Sequence, residues 1–171
     1  PAKLMHGHIE TLIAEKPDAI FYPCLTYNVD EKIADNHFNC PIVAYYSELL
    51  AGNMEALKKV TFLYPYLHIN DPKKLSEQIL EMVEGRFGHF RPADVRRAVA
   101  AGFAAYEKWM ADIRREGERA IRYAREHGKR IMILAGRPYH VDPEIGHGID
   151  KLASSLGFVV VSEDSVAGLA E

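Results

Sequence analysis

Apolar and polar positions alternate along the chain in two periods, one helical and one of short continuous runs. Leu4, His8, Leu12 and Ile13 fall at helical spacing between Leu4 and Glu15, and Pro17-Asp18 ends the pattern. Ala19 to Tyr22 then reads as a short buried strand, closed by Pro23-Cys24. Leu25 to Asn39 is polar and irregular, with one helical turn expected around Glu31 to Asp35. Pro41 to Tyr45 predicts a second strand, followed by a helix opening at Ser47, whose hydroxyl suits the orphan amides of a first turn. Val60 to Leu63 predicts a third strand. Asp71-Pro72 then supplies a cap and a first-turn proline for a helix that runs to about Glu84 and stops at Gly85.

The longest periodic segment is Pro92 to His127. Val95, Val99, Phe103, Tyr106, Met110, Ile113, Ala120 and Ala124 recur at intervals of three and four, with Gly117 in one apolar place. A helix of that length spans about 50 Å. Gly117 is the expected kink and Gly128 the expected stop. Charged residues fill most of the other faces, which fits a solvated bridge or packing helix; the heptads are too few for a coiled coil. Beyond it, Ile131 to Ala135 predicts a strand, Ile145 to Leu156 a helix and Phe158 to Val161 another strand.

The pattern predicts an α/β fold: two α/β units joined by a long helix, the second unit truncated. The expected parts are a first α/β unit over 1–85, the connecting helix over 86–129 and the start of a second α/β unit from 130 to 171. No internal repeat or low-complexity segment stands out.

Composition narrows the class. Of 171 residues, 48% are hydrophobic and 26% charged, as in a folded soluble protein. A net charge of −3 gives no reason to expect nucleic acid as a partner. No apolar run approaches the ~20 residues of a membrane span, and no signal-peptide pattern opens the chain. With two cysteines and five methionines, a cytoplasmic protein is expected. The opening Pro-Ala-Lys-Leu, without an initiator Met, reads as a fragment of a longer polypeptide.

Three places could carry chemistry. Cys24 follows the first strand and Cys40 stands just before Pro41, so both occupy loop ends. A reducing cytoplasm argues against a disulfide between them. Two buried inert thiols and thiolate ligation of zinc or an iron–sulfur cluster both remain open, and a cluster wants three or four ligands. His6 and His8 lie two apart at a helix start, where their rings point to different faces, so a cap or loop role fits better than a shared site. Asn28, Asp30 and Glu31 match no ordered calcium pattern.

The third place is the loop from Gly136 to His147, at the carboxyl end of a strand, where open α/β sheets bind ligands. It carries Arg137, Tyr139, His140, Asp142 and His147. Arg137 could hold a phosphate or carboxylate with two parallel bonds, and a histidine could move a proton near neutral pH. Alternatively Arg137 and Asp142 pair across the turn and the histidines satisfy helix ends. No Gly-x-x-x-x-Gly-Lys loop, Gly-x-Gly-x-x-Gly fingerprint or Gly-x-Ser-x-Gly elbow is present, so neither familiar nucleotide motif nor a serine elbow is supported.

Four blocks in order carry a resemblance: Pro-Ala-Lys-Leu-Met-His-Gly-His at 1–8, Phe-Tyr-Pro-Cys at 21–24, Asn-Cys-Pro-Ile-Val-Ala-Tyr-Tyr at 39–46, and Leu-Ala-Gly-Arg-Pro-Tyr-His-Val-Asp-Pro-Glu-Ile at 134–145. They resemble the large activators of 2-hydroxyacyl-CoA dehydratases, the CoA-substrate-specific enzyme activases. In that family ATP-hydrolysing domains of the acetate-kinase and actin type precede a region like this one. That region is similar in turn to the dehydratase iron–sulfur subunits, with cysteine ligands at loop ends, and this likeness implies two flavodoxin-like or Rossmann-like three-layer units, the second truncated.

The resemblance implies a further cysteine just before Pro1. Together with Cys24 and Cys40 it would make three thiolates for a [4Fe–4S] cluster in the intact protein, with the cluster absent from this stretch alone. It also implies a 2-hydroxyacyl-CoA dehydratase or related CoA-dependent enzyme as partner, and acyl-CoA as a ligand. No ATPase motif is visible in these residues, so ATP hydrolysis does not carry over. On this reading the two sulfurs are expected within about 8 Å of each other, with the chain start beside them. A cofactor-free docking module, contacted through the long helix, and a small-molecule enzyme using the loop from Arg137 to His147 are the alternatives.

Overall fold

The computed structural model describes residues 2–32, 34–136, 138–142 and 144–169, and for Ala2, Pro138 and Tyr139 the backbone alone. The described chain is mixed α/β, with two small sheets of two parallel strands each. It divides into two compact units, Pro1–Ala101 and Gly102–Glu171.

In the first unit, α1 (Ala2–Ala14) leads into β1 (Ala19–Phe21), and α2 (Pro41–Asn53) with a short 3-10 turn (Glu55–Lys59) leads into β2 (Thr61–Leu63). The strands pair in parallel, Ala19 opposite Thr61 and Phe21 opposite Leu63. The core lies where α1 and α2 meet this sheet: Ile9, Ile20, Tyr46, Leu50, Met54 and Leu57 form one buried cluster. Full burial of a leucine such as Leu50 contributes about 1.5–3 kcal/mol. The carboxylate of Asp71 accepts from the amides of Lys73 and Lys74 at 3.1 and 3.0 Å and so caps α3 (Pro72–Val83). Gly85, at φ +70, follows the end of α3.

One expected strand is a helix. Pro41 to Tyr45 forms the first half of α2, so the described residues of this unit hold two named strands rather than three. Five consecutive apolar or ring residues carry no period, and Pro41 decides the matter by its place in the first turn, where its missing N–H costs nothing. The Cys40 carbonyl accepts from Val43 and Ala44 at 3.0 and 2.9 Å, and Ala44, Ser47 and Leu50 turn inward at helical spacing. Tyr45 departs from helical geometry (φ −145°, ψ 16°), a kink just before the expected start at Ser47.

The helix α4 (Pro92–Glu126) contains the division between the units. It passes through Gly117 without a break and stops before Gly128, which adopts φ +61. Gly117 is a close-packing point, not a kink: the Ser165 carbonyl of α6 (Glu163–Val166) lies against its backbone where a side chain would stand.

In the second unit β3 (Arg130–Leu134) pairs in parallel with β4 (Phe158–Ser162), Arg130 opposite Phe158 and Leu134 opposite Ser162. The connecting helix α5 (Ile149–Ser155) starts later than the apolar pattern suggests, because His147 and Gly148 take left-handed conformations (φ +50 and +71) that a helix cannot continue. Ala153 and Val161 are buried, whereas Ile133 and Leu156 are 55% and 66% exposed. No described helix is long and apolar enough to cross a membrane.

Candidate functional site

Beyond β1 the two strands of the first unit continue to pair. The Tyr22 amide donates to the Leu63 carbonyl at 2.8 Å, the Cys24 amide to Pro65 at 2.9 Å, and the Leu67 amide to the Cys24 carbonyl at 3.0 Å. Cys24 is thereby fixed at the carboxyl end of β1, fully buried, with its sulfur 3.0 Å from the Ser47 hydroxyl of α2.

The segment that follows folds back on itself. Tyr27 bridges Phe38 in antiparallel fashion, the Asn28 amide donates to His37 at 2.8 Å, and the Asn39 amide donates to Thr26 at 2.9 Å. The Asn39 side chain also donates to the Leu25 carbonyl at 2.9 Å. Stacking of Tyr27 on Phe38, 4.7 Å between ring centres, covers this excursion. The Leu25 amide then donates to the Val43 carbonyl of α2 at 3.2 Å, so Cys24 and Cys40 stand just outside the two ends of this paired loop. A polar, irregular stretch in sequence is therefore a device that returns the chain to its start. Cys40, half-buried, is the extended residue that precedes α2.

The sequence reading did not place Ser47, Glu48 or Tyr66 in the neighbourhood of Cys24. Ser47 lies seven residues after Cys40, two helical turns along α2, a spacing visible only once Pro41 is placed in the helix. Tyr66 bridges Cys24 through the backbone, and its hydroxyl donates a short hydrogen bond to the Glu48 carboxylate. That bond, with lesser help from desolvation and the nearby Cys24 thiol, pushes the Tyr66 pKa up to about 12. Burial, with Tyr46 and Cys24 close by, likewise raises the Tyr22 phenol. A cleft of about 570 Å³ opens beside Tyr66, with Tyr64, Gln78 and Arg86 on its walls.

The second candidate loop lies at the carboxyl end of β3. Arg137 falls outside the described residues, as does Pro143. Tyr139 and His140 stand on a 3-10 turn, Pro138–Val141, and the His140 ring packs against the bare backbone of Gly136. The Asp142 carboxylate accepts from the amides of Glu144 and Ile145 at 2.9 and 3.1 Å, while its carbonyl accepts from Gly146 at 2.8 Å. Asp142 thus shapes the loop from within. His147 is exposed, and the Gly136 amide reaches Glu163 of α6 at 3.3 Å. Of the histidines near the chain start, His6 sets its ring edge-on to Tyr46 at 6.4 Å and His8 is exposed.

Thiols suit iron–sulfur ligation in kind, but among the described residues no group of three or more His, Cys, Asp or Glu could hold a metal ion. Cys24 and Cys40 are at most part of a ligand set. The expected proximity of the chain start to them involves Pro1, which is also outside the described residues.

A mixed α/β domain with two thiols at the base of one loop is the class that fold and site define. The chain belongs to the CoA enzyme activase uncharacterised domain family (DUF2229), whose family model matches residues 1–166. Comparison with curated proteins and with solved structures gives no match.

Proposed function

We propose that this domain is the thiolate-bearing part of an activator of a 2-hydroxyacyl-CoA dehydratase or a related CoA-dependent enzyme. Cys24 and Cys40 each donate one thiolate to an iron–sulfur cluster, and the remaining ligands come from elsewhere in the activase. Such a cluster would supply one-electron chemistry at the carboxyl end of β1. The observation that carries this reading is the antiparallel pairing of the loop after Cys24, which returns the chain to Cys40.

The test uses the full-length activase, reconstituted anaerobically with iron and sulfide. Thiolate-to-iron charge-transfer absorbance is expected, and Cys24→Ser or Cys40→Ser should reduce it. Equal absorbance in the parent and both variants would remove these residues from the ligand set and leave a cofactor-free docking module.

The loop of Arg137, Tyr139, His140, Asp142 and His147 is proposed to receive the acidic part of an acyl-CoA, with Arg137 as the anion contact. Its support is a compact loop beyond a strand's carboxyl end, shaped by Asp142 and by the bare backbone of Gly136 against His140. Calorimetric titration with acyl-CoA should lose its signal in Arg137→Ala while the melting temperature is kept. Unchanged binding would make the loop structural.

A further inference from the structure

Between residues 114 and 130 the chain carries seven Arg or Lys against three Glu. The second half of that stretch borders a recess of about 580 Å³ inside the second unit, at the amino-terminal end of the β3–β4 sheet. This is the opposite strand end from the loop of Arg137. Arg119, Arg122 and Tyr123 of α4 form one wall, and Lys129, Ser154 and Phe158 contribute to the rest.

The charges of this recess are unevenly matched. Arg119 is held by Glu116 on the same helix face. Among the described residues, Arg122 and Lys129 have no carboxylate partner, although Glu126 also lines the recess. The ammonium of Lys129 stands 5.6 Å from the centre of the Tyr123 ring, and the Arg130 guanidinium lies over Phe158 at 4.3 Å. Tyr123 also stacks on His127 at 4.2 Å. Cations without counter-ions and planar ring faces meet here in a volume typical of small-molecule sites.

We infer that this recess binds a nucleoside diphosphate such as ADP. Arg122 and Lys129 receive the phosphates, and the Tyr123 and Phe158 side takes the base. Arg122 fits this role because its fork matches a phosphate with two parallel bonds, and Lys129 adds a mobile point charge. The inference uses different residues from the thiolate and loop readings and stands or falls separately from them.

Isothermal titration of the 171-residue chain with ADP and inorganic pyrophosphate tests it. Saturable binding of ADP at one site per chain is expected, weakening as salt is raised. Arg122→Ala combined with Lys129→Gln should weaken it about tenfold or more, since two charge-assisted contacts to the phosphates are lost. Both side chains belong to exposed residues, so the melting temperature should hold. If the pair of changes does destabilise the chain, Lys129→Gln alone is read in its place and should still weaken ADP severalfold. Tyr123→Ala should weaken ADP more than pyrophosphate. No saturable binding of ADP, binding unchanged in the variants, or pyrophosphate binding as tightly as ADP would each overturn the assignment. Loss of acyl-CoA binding in Arg137→Ala with ADP binding intact would separate this site from the loop beyond β3.

Discussion

Gly117 gives the sharpest test of the packing in the second unit. A Cβ built there would overlap the Ser165 carbonyl oxygen, and would stand 2.7 Å from its carbonyl carbon and 3.0 Å from its Cβ. The obstacle is mainly backbone, which cannot swing aside as a side-chain tip could. Gly117→Ala gains about 1 kcal/mol of helix propensity in the interior of α4. Overpacking against a rigid neighbour costs about 1–3 kcal/mol, and overlap with a carbonyl puts this case at the upper end. The net expectation is a loss of about 1–2 kcal/mol. Gly102 is the control within the same helix, because a Cβ there meets nothing within 4 Å. Gly102→Ala should therefore stabilise by up to about 1 kcal/mol. Thermal melts followed by far-UV circular dichroism should place the two variants about 5–10 °C apart, on either side of the parent. Equal stabilisation by both substitutions would refute the close approach of α6 to α4.

Three further outcomes follow from the first unit. Asp71→Ala removes the acceptor for two first-turn amides of α3 and should cost about 0.5–2 kcal/mol in chemical denaturation; a change too small to resolve would deny the cap its role. Tyr66 should titrate near 12, followed by tyrosine resonances in NMR, and Glu48→Gln should bring it back toward 10. Because the folded-state value is raised, its contribution to stability is complete below the ordinary value near 10 and is lost as pH climbs through about 12; a Tyr66 titration unmoved by Glu48→Gln would refute the bond. An aromatic disulfide reagent should modify half-buried Cys40 well before buried Cys24, and equal rates in the folded protein would contradict the burial of Cys24.

Much of the element order was legible because local chemistry set it. Asp71-Pro72 marks the start of α3, and the three-and-four spacing from Val95 to Ala124 marks α4. The apolar runs at Ile131 and Phe158 mark β3 and β4. Pro41 to Tyr45 was misread because an all-apolar run has no period, and only the capping geometry at Cys40 reveals a helix. The late start of α5 was hidden for a different reason: His147 takes a left-handed conformation that nothing in its residue type announces. The cysteines were visible as loop-end residues, but their surroundings were not. Ser47 and Tyr66 reach Cys24, and Glu48 reaches Tyr66, through the β1–β2 pairing and the path of α2, which are long-range consequences of packing rather than of local pattern. At the loop beyond β3, the polar residues were legible, while the inward role of Asp142 depended on which amides it meets.

Cadmium binding to the 171-residue chain, read as sulfur-to-cadmium charge-transfer absorbance under reducing conditions, tests most directly whether Cys24 and Cys40 share a site. Cadmium prefers thiolates and reports how many reach one ion. The expected result is a single ion held by two thiolates, with Cys24→Ser and Cys40→Ser each removing about half of the absorbance and weakening the affinity. Absorbance that survives Cys24→Ser undiminished and disappears only in Cys40→Ser would show Cys24 to be an inert buried thiol, and would contradict the shared site.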